Sequence, residues 1–184
     1  ERGPVGALQH RHLAWLVSPT LPASACVIGN LQLDDPCFKL YVKSVAGVFP
    51  MVLGDILALS EKDKAWIKGI VDWMQALQKK HNYMLYRQDL AGFGEPAEGH
   101  WDGFQRINTE TQSGGLVGVF RHGALEKERR VFVRYLDPDQ MYIVREEITN
   151  ETVARLSGKA LTEEGFLVHL DKDYAGILFG IESL

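Results

Sequence analysis

Between Ser60 and Asn82 the apolar residues return at helical spacing, and beyond Asp102 the return shortens to two residues. One chain must therefore hold a long helix and a layer built from strands. Trp66, Ile70, Trp73, Met74 and Leu77 fall on one stripe, while Lys64, Lys68, Asp72, Gln75 and Lys79 lie mainly away from it. Ser60 is placed to cap, with Asp63 at the capping-box position. Lys79, Lys80 and His81 crowd the last turn, where cations meet the negative end of the helix dipole. Asn82 fits a left-handed terminator. Two tryptophans on one face predict a helix packed against something large.

In the second half, Val131, Val133 and Tyr135 alternate with Phe132 and Arg134. Asp137-Pro138-Asp139-Gln140 fits a type I turn, and Met141, Ile143 and Arg145 lead away from it, so the pattern predicts a hairpin. Residues 116–120 read as a strand between Gly114-Gly115 and His122-Gly123. Phe166, Val168 and Leu170 make one apolar face; Ala175, Ile177, Phe179 and Ile181 make another. About seven short strands separated by turn residues predict an antiparallel sandwich. Its core alone is marginal at about 80 residues, so it is expected to lean on what precedes it.

Residues 1–59 are apolar and irregular, divided by Pro19, Pro22, Pro36 and Pro50. Residues 12–17 and 25–28 are short apolar runs, read as buried parallel strands. Such runs followed by loops are typical of the last strands of an α/β barrel. Periodicity leaves 36–41 and 42–48 either helical or irregular. Residues 83–102 are a Gly-rich connection.

Composition excludes several classes. At 46% hydrophobic and 24% charged residues the chain is not expected to be disordered. A net charge of -4 disfavours a strongly basic nucleic-acid binder, and no apolar run is long enough for a membrane span, so neither nucleic acid nor membrane is an expected partner. Signs alternate through Glu126-Lys127-Glu128-Arg129-Arg130, as in a solvated loop and strand edge. Cys26 and Cys37 are too few for a disulfide framework and read as thiols in a reducing compartment. With no basic segment and apolar core at the start, the expected location is cytoplasmic. A first residue of Glu1 rather than Met gives the expectation of an excised segment.

Glycosidase chemistry needs two carboxyl groups across a cleft. The candidates are Asp34, Asp35 and Asp55, although Asp34 and Asp35 are adjacent and read most simply as a solvated turn, and Asp55 as a turn or cap residue. His10 and His12 form an H-x-H pair that would share one face of a strand, but further zinc ligands at fitting spacing are missing, so no metal is assigned. No P-loop and no G-x-S-x-G elbow occurs, and no cofactor is expected. Among aromatic platforms for sugars, Trp66 and Trp73 belong to the helix. Trp101 lies in the Gly-rich connector, placed to cover a domain junction. Trp15, near a predicted strand end, is the better sugar contact.

The order of motifs carries a resemblance. Phe49-Pro50-Met51-Val52-Leu53-Gly54-Asp55 leads into the helix with Trp66 and Trp73. Then come Trp101-Asp102-Gly103-Phe104-Gln105, Gly114-Gly115-Leu116-Val117-Gly118-Val119-Phe120-Arg121 and Ile177-Leu178-Phe179. This resembles the C-terminal part of melibiase-like glycoside hydrolases, the α-galactosidase clan. The resemblance implies an α+β chain: residues 1–82 as the last strands and helices of a (β/α)8 barrel, 83–102 as a linker, and 103–184 as an antiparallel β-sandwich. It implies a retaining mechanism with an Asp nucleophile and an Asp acid/base on earlier barrel strands. Neither motif can be matched here, so no catalytic residue is assigned and the chain alone is expected to be inactive. Its implied partners are the carbohydrate substrate of the parent enzyme and the N-terminal part of the barrel. By position only, the resemblance makes His10, His12 and Trp15 substrate contacts at late strand ends. The competing expectations are a non-catalytic carbohydrate-binding or interaction module and a small metalloenzyme using His10 and His12.

Overall fold

The computed structural model describes residues 3–18, 25–28 and 37–184. Helix α1 (Pro4–Leu16) begins with proline at its first turn, where the missing N–H costs nothing. Strand β1 (Ala25–Ile28) pairs in parallel with β2 (Met51–Gly54), from Ala25↔Met51 to Ile28↔Gly54. Between them lies α2 (Cys37–Ser44), continued by a 3-10 turn to Gly47. Among the described residues, this resolves the open choice over 36–48 in favour of helix for 37–47. Residues 12–17 are a correction: 12–16 belong to α1 and Val17 follows as its C-cap, so they form no strand. The apolar run begins only at Leu13, so its helical period is visible only when it is joined to Ala7, Arg11 and Ala14, the buried face. A buried charge within that face hides it.

Helix α3 (Glu61–His81) stands where the apolar stripe put it. The Ser60 hydroxyl accepts from the Asp63 amide at 3.3 Å, and Asn82, at φ 49°, donates its N–H to the Gln78 carbonyl at 2.8 Å. Ile67, Ile70, Trp73, Met74 and Leu77 are buried.

The antiparallel part has a six-stranded sheet in the order β3-β4-β5-β10-β7-β8 and a two-stranded sheet β6-β9 across from it. Its strands are β3 (Gln88–Asp89), β4 (His100–Ile107), β5 (Gly114–His122), β6 (Glu128–Val131), β7 (Met141–Glu146), β8 (Thr152–Ser157), β9 (Phe166–His169) and β10 (Tyr174–Ser183). A short helix α4 (Gly158–Glu163), unread in the sequence, links β8 to β9. The fold is thus the expected one: barrel-type strands and helices, then an antiparallel sandwich.

The expected hairpin is a second correction. The turn exists: Gln140 N–H reaches the Asp137 carbonyl at 3.3 Å, and the Asp137 carboxylate accepts from the Asp139 amide at 3.0 Å. Its two flanks do not pair. Val131 pairs with Phe166 on β9, whereas β7 pairs with β10 and β8. Tyr135 at φ 66° breaks the extended chain before the turn, which hands it from one sheet to the other.

The six-stranded sheet is covered on both faces. Val117, Val119, Phe179 and Ile181 face β6 and β9 with Val131, Phe166 and Val168. Phe104, Leu116, Phe120 and Leu178 face the helices, against Phe38, Ile70, Trp73 and Leu77. The helix face also carries glycines directly under aromatic rings. Gly118 stands opposite Phe104 and Gly176 opposite Phe120 in the strand register. A Cβ on Gly118 would sit 2.6 Å from the Phe104 ring, and one on Gly180 would sit 3.2 Å from Leu77. No helix among the described residues is long and apolar enough to cross a membrane.

Candidate functional site

The parallel register brings the C-terminal ends of β1 and β2 together at Ile28 and Gly54. In a barrel, chemistry is done at that end of the strands. The chain leaves β2 through Gly54 at φ 125°, then Asp55, then a 3-10 turn over Ile56–Ala58. The Asp55 carboxylate accepts from the Leu57 amide at 3.0 Å, so it caps this turn as the sequence allowed. Leu57 is 84% exposed and Ile56 44%, an apolar rim beside a solvent-facing carboxylate. Asp34 and Asp35, the other carboxylate candidates, lie outside the described residues.

His10, His12 and Trp15 are not at strand ends but on α1. Two residues apart on a helix, the histidines point about 200° from each other rather than to one side. The His10 ring meets the edge of Tyr41 with centroids 5.1 Å apart, and burial, with Arg11 beside it, pushes its pKa below the ordinary value. His12 pairs with Glu95. The Arg87 guanidinium lies 5.8 Å from the Trp15 ring. The structure therefore separates the H-x-H pair, and no group of three metal-ligating side chains occurs among the described residues. Trp101 is a strand residue, 6% exposed, whose indole N–H donates to the Glu126 carbonyl at 2.9 Å, so its face is not offered to a sugar.

The most elaborate polar chemistry lies instead between the helices and the sandwich. Arg11 donates from Nε to Asp102 Oδ1 at 2.7 Å, from Nη2 to Asp102 Oδ2 at 3.0 Å, and from Nη1 to the Ser44 hydroxyl at 2.9 Å. Its guanidinium also stacks over Phe120 at 4.5 Å, and Nη2 stands 3.1 Å from His122 Nδ1. Arg106, fully buried, donates to the Ala46, Val48 and Tyr86 carbonyls at 2.8, 2.7 and 2.9 Å. These are carbonyls left over where two 3-10 turns end, at Val45–Gly47 and Tyr83–Leu85, so one guanidinium does the work of several caps. Burial lowers its pKa to about 10, which leaves it charged at neutral pH. Burial likewise raises the Tyr83 phenol beside it to about 12. Lys43 pairs with Glu147 and donates to the Gly176 carbonyl at 2.8 Å. Glu147 in turn accepts from the Leu178 amide at 2.7 Å; burial raises its pKa and Lys43 opposes the rise.

Sequence reasoning missed all of these residues. A faint signal existed in β4, where Asp102, Phe104 and Arg106 alternate toward one side of the strand. Charge at an inward position marks a buried partner, but only the fold says which one.

No family model matches the chain, and no curated protein matches it. Solved structures do. The GH36 α-galactosidase AgaB from Geobacillus stearothermophilus is similar with a TM-score of 0.74 at 18% identity, over 97% of this chain and 24% of that one. A variant of the GH36 α-galactosidase AgaA from the same organism, in complex with raffinose, gives a TM-score of 0.72 at 16% identity over 97% and 24%. The galactosidase domain of the α-galactosidase-sucrose kinase AgaSK gives 0.68 at 17% identity over 97% and 25%. The chain thus spans about a quarter of the length of these structures. At such identities the likeness is one of fold, and the fold is that of the C-terminal part of a GH36 α-galactosidase, barrel tail and sandwich together.

Proposed function

We propose that this chain forms the closing wall of a (β/α)8 catalytic barrel, and the accessory sandwich behind it, in a retaining glycoside hydrolase that acts on α-galactosides. The observation that carries this reading is the match of helices, parallel pair and sandwich as one body to α-galactosidases, over 97% of the chain. The parallel pair supports it. Parallel sheets are stable when extended and covered on both faces, and β1 and β2 pair only with each other among the described residues. Further strands from the rest of the enzyme complete the sheet and bring the nucleophile and the acid/base. In this role Asp55 belongs to the rim of the mouth, and His10, His12 and Trp15 to the helical wall.

The test is hydrolysis of 4-nitrophenyl α-D-galactoside. The isolated chain is expected to give no turnover above the uncatalysed rate. A longer protein carrying the preceding barrel strands is expected to release galactose with the α-anomer appearing first by NMR. Turnover by the chain alone would place the reacting acids within it and overturn the proposal. A longer protein inert toward every α-galactoside would remove the substrate assignment.

A further inference from the structure

Arg11, which ties α1 to Asp102 on β4, also touches an imidazole of the sandwich. His122 ends β5 and is fully buried. The groups facing it come from every element around it. Arg11 comes from α1, and Asp102 from β4. His100, also on β4, stands directly opposite in the register. Glu98 approaches from the loop before β4, and Tyr174 of β10 packs edge-on with ring centroids 4.9 Å apart. Arg11 Nη2 lies 3.1 Å from Nδ1. A guanidinium only donates, so Nδ1 is the acceptor and the neutral ring carries its proton on Nε2. Nε2 faces Glu98 Oε2 at 3.2 Å without forming a hydrogen bond. The other Glu98 oxygen is occupied by the Tyr174 hydroxyl at 2.9 Å.

A second proton would turn Nδ1 into a donor aimed at a donor and set two cations 3.1 Å apart in a buried site. Arg11 cannot relieve this by losing its own proton. We propose that His122 is a proton-operated latch: neutral, it accepts from Arg11 and leaves it seated on Asp102, so α1 stays on the sandwich; protonated, it repels Arg11 from that seat and releases α1 while the sandwich stays folded. Burial first, and Arg11 second, push the imidazole below its ordinary value, with Glu98 and Asp102 opposing. A lowered folded-state pKa means that the released state takes the proton first. The hold is therefore complete above the ordinary histidine value and lost as pH falls through the lowered one. This inference stands independently of the glycosidase reading.

Hydrogen exchange on the chain between pH 8 and pH 5, corrected for the intrinsic rate, tests it. Protection of the α1 amides is expected to fall severalfold relative to β5 and β10. His122→Asn offers Arg11 an acceptor oxygen but cannot be charged, and is expected to abolish the fall. His10→Phe, which removes a histidine of α1 that is also lowered, is expected to keep it. Protection of α1 that is independent of pH, an Asn variant that still loses it, or a Phe variant that does not, would each overturn the latch. If His122→Asn fails to fold, the NMR titration of the His122 ring decides. An apparent pKa below 6.5, tracked by the α1 amide shifts, supports the latch; a titration that leaves those shifts unmoved refutes it.

Discussion

The two faces of the six-stranded sheet are buried by opposite means. Toward β6 and β9 the contact is aliphatic and aromatic, with Val117, Val119 and Ile181 filling the space and Phe166 set edge-on to Phe179 at 5.2 Å. Toward the helices it mixes rings laid on glycines with buried charges: Arg11 on Asp102, Lys43 on Glu147, and Arg106 on backbone carbonyls. The first face gains stability from area, almost regardless of which apolar residues supply it. The second gains less, because desolvating ions offsets much of their attraction, but it penalises every wrong partner. The sandwich thus supplies bulk stability, and the seam fixes how the helices sit on it.

Substitutions can break or sharpen this contrast. The largest effect is expected from Asp102→Ala, which strands a guanidinium whose side chain is 2% exposed. Urea unfolding should show a loss of about 3–5 kcal/mol. The joint change Arg11→Met with Asp102→Leu should recover most of it, and a loss near zero for the single change would erase the distinction between the faces. On the aliphatic face, Ile181→Ala should cost about 2–5 kcal/mol, with no recovery from any charge change across the seam. Gly118→Ala forces a methyl onto the Phe104 ring and should cost about 1–3 kcal/mol in thermal unfolding. Phe104→Leu in the same chain should return part of that. Ser60→Ala removes only the cap of α3 and should cost about 1 kcal/mol, read in the same melts.

What could be read beforehand followed from local physics. The α3 stripe, its cap and its left-handed end were legible because they depend on neighbours three and four residues apart. So were the Asp137 turn and the alternation of β9 and β10. Pairing was not legible. The turn after Tyr135 resembles a hairpin until the partner strands are known, and Phe166 lies far along the chain from Val131. Helix α1 was hidden because its buried face includes Arg11, which hydrophobic periodicity counts against it. The placement of His10, His12 and Trp15 failed with it. The rim at Asp55 was visible as a turn residue, but its position at the end of a barrel-type strand comes only from the β1–β2 register.

The glycines beneath Phe104 and Phe120 leave the sheet and the helices no spare layer between them. Such a surface cannot drift one residue at a time. A side chain gained at Gly118, Gly176 or Gly180 must be matched by one shortened at Phe104, Phe120 or Leu77. Across distant descendants these positions should therefore change in compensating pairs, keeping their summed volume while the surrounding sequence diverges.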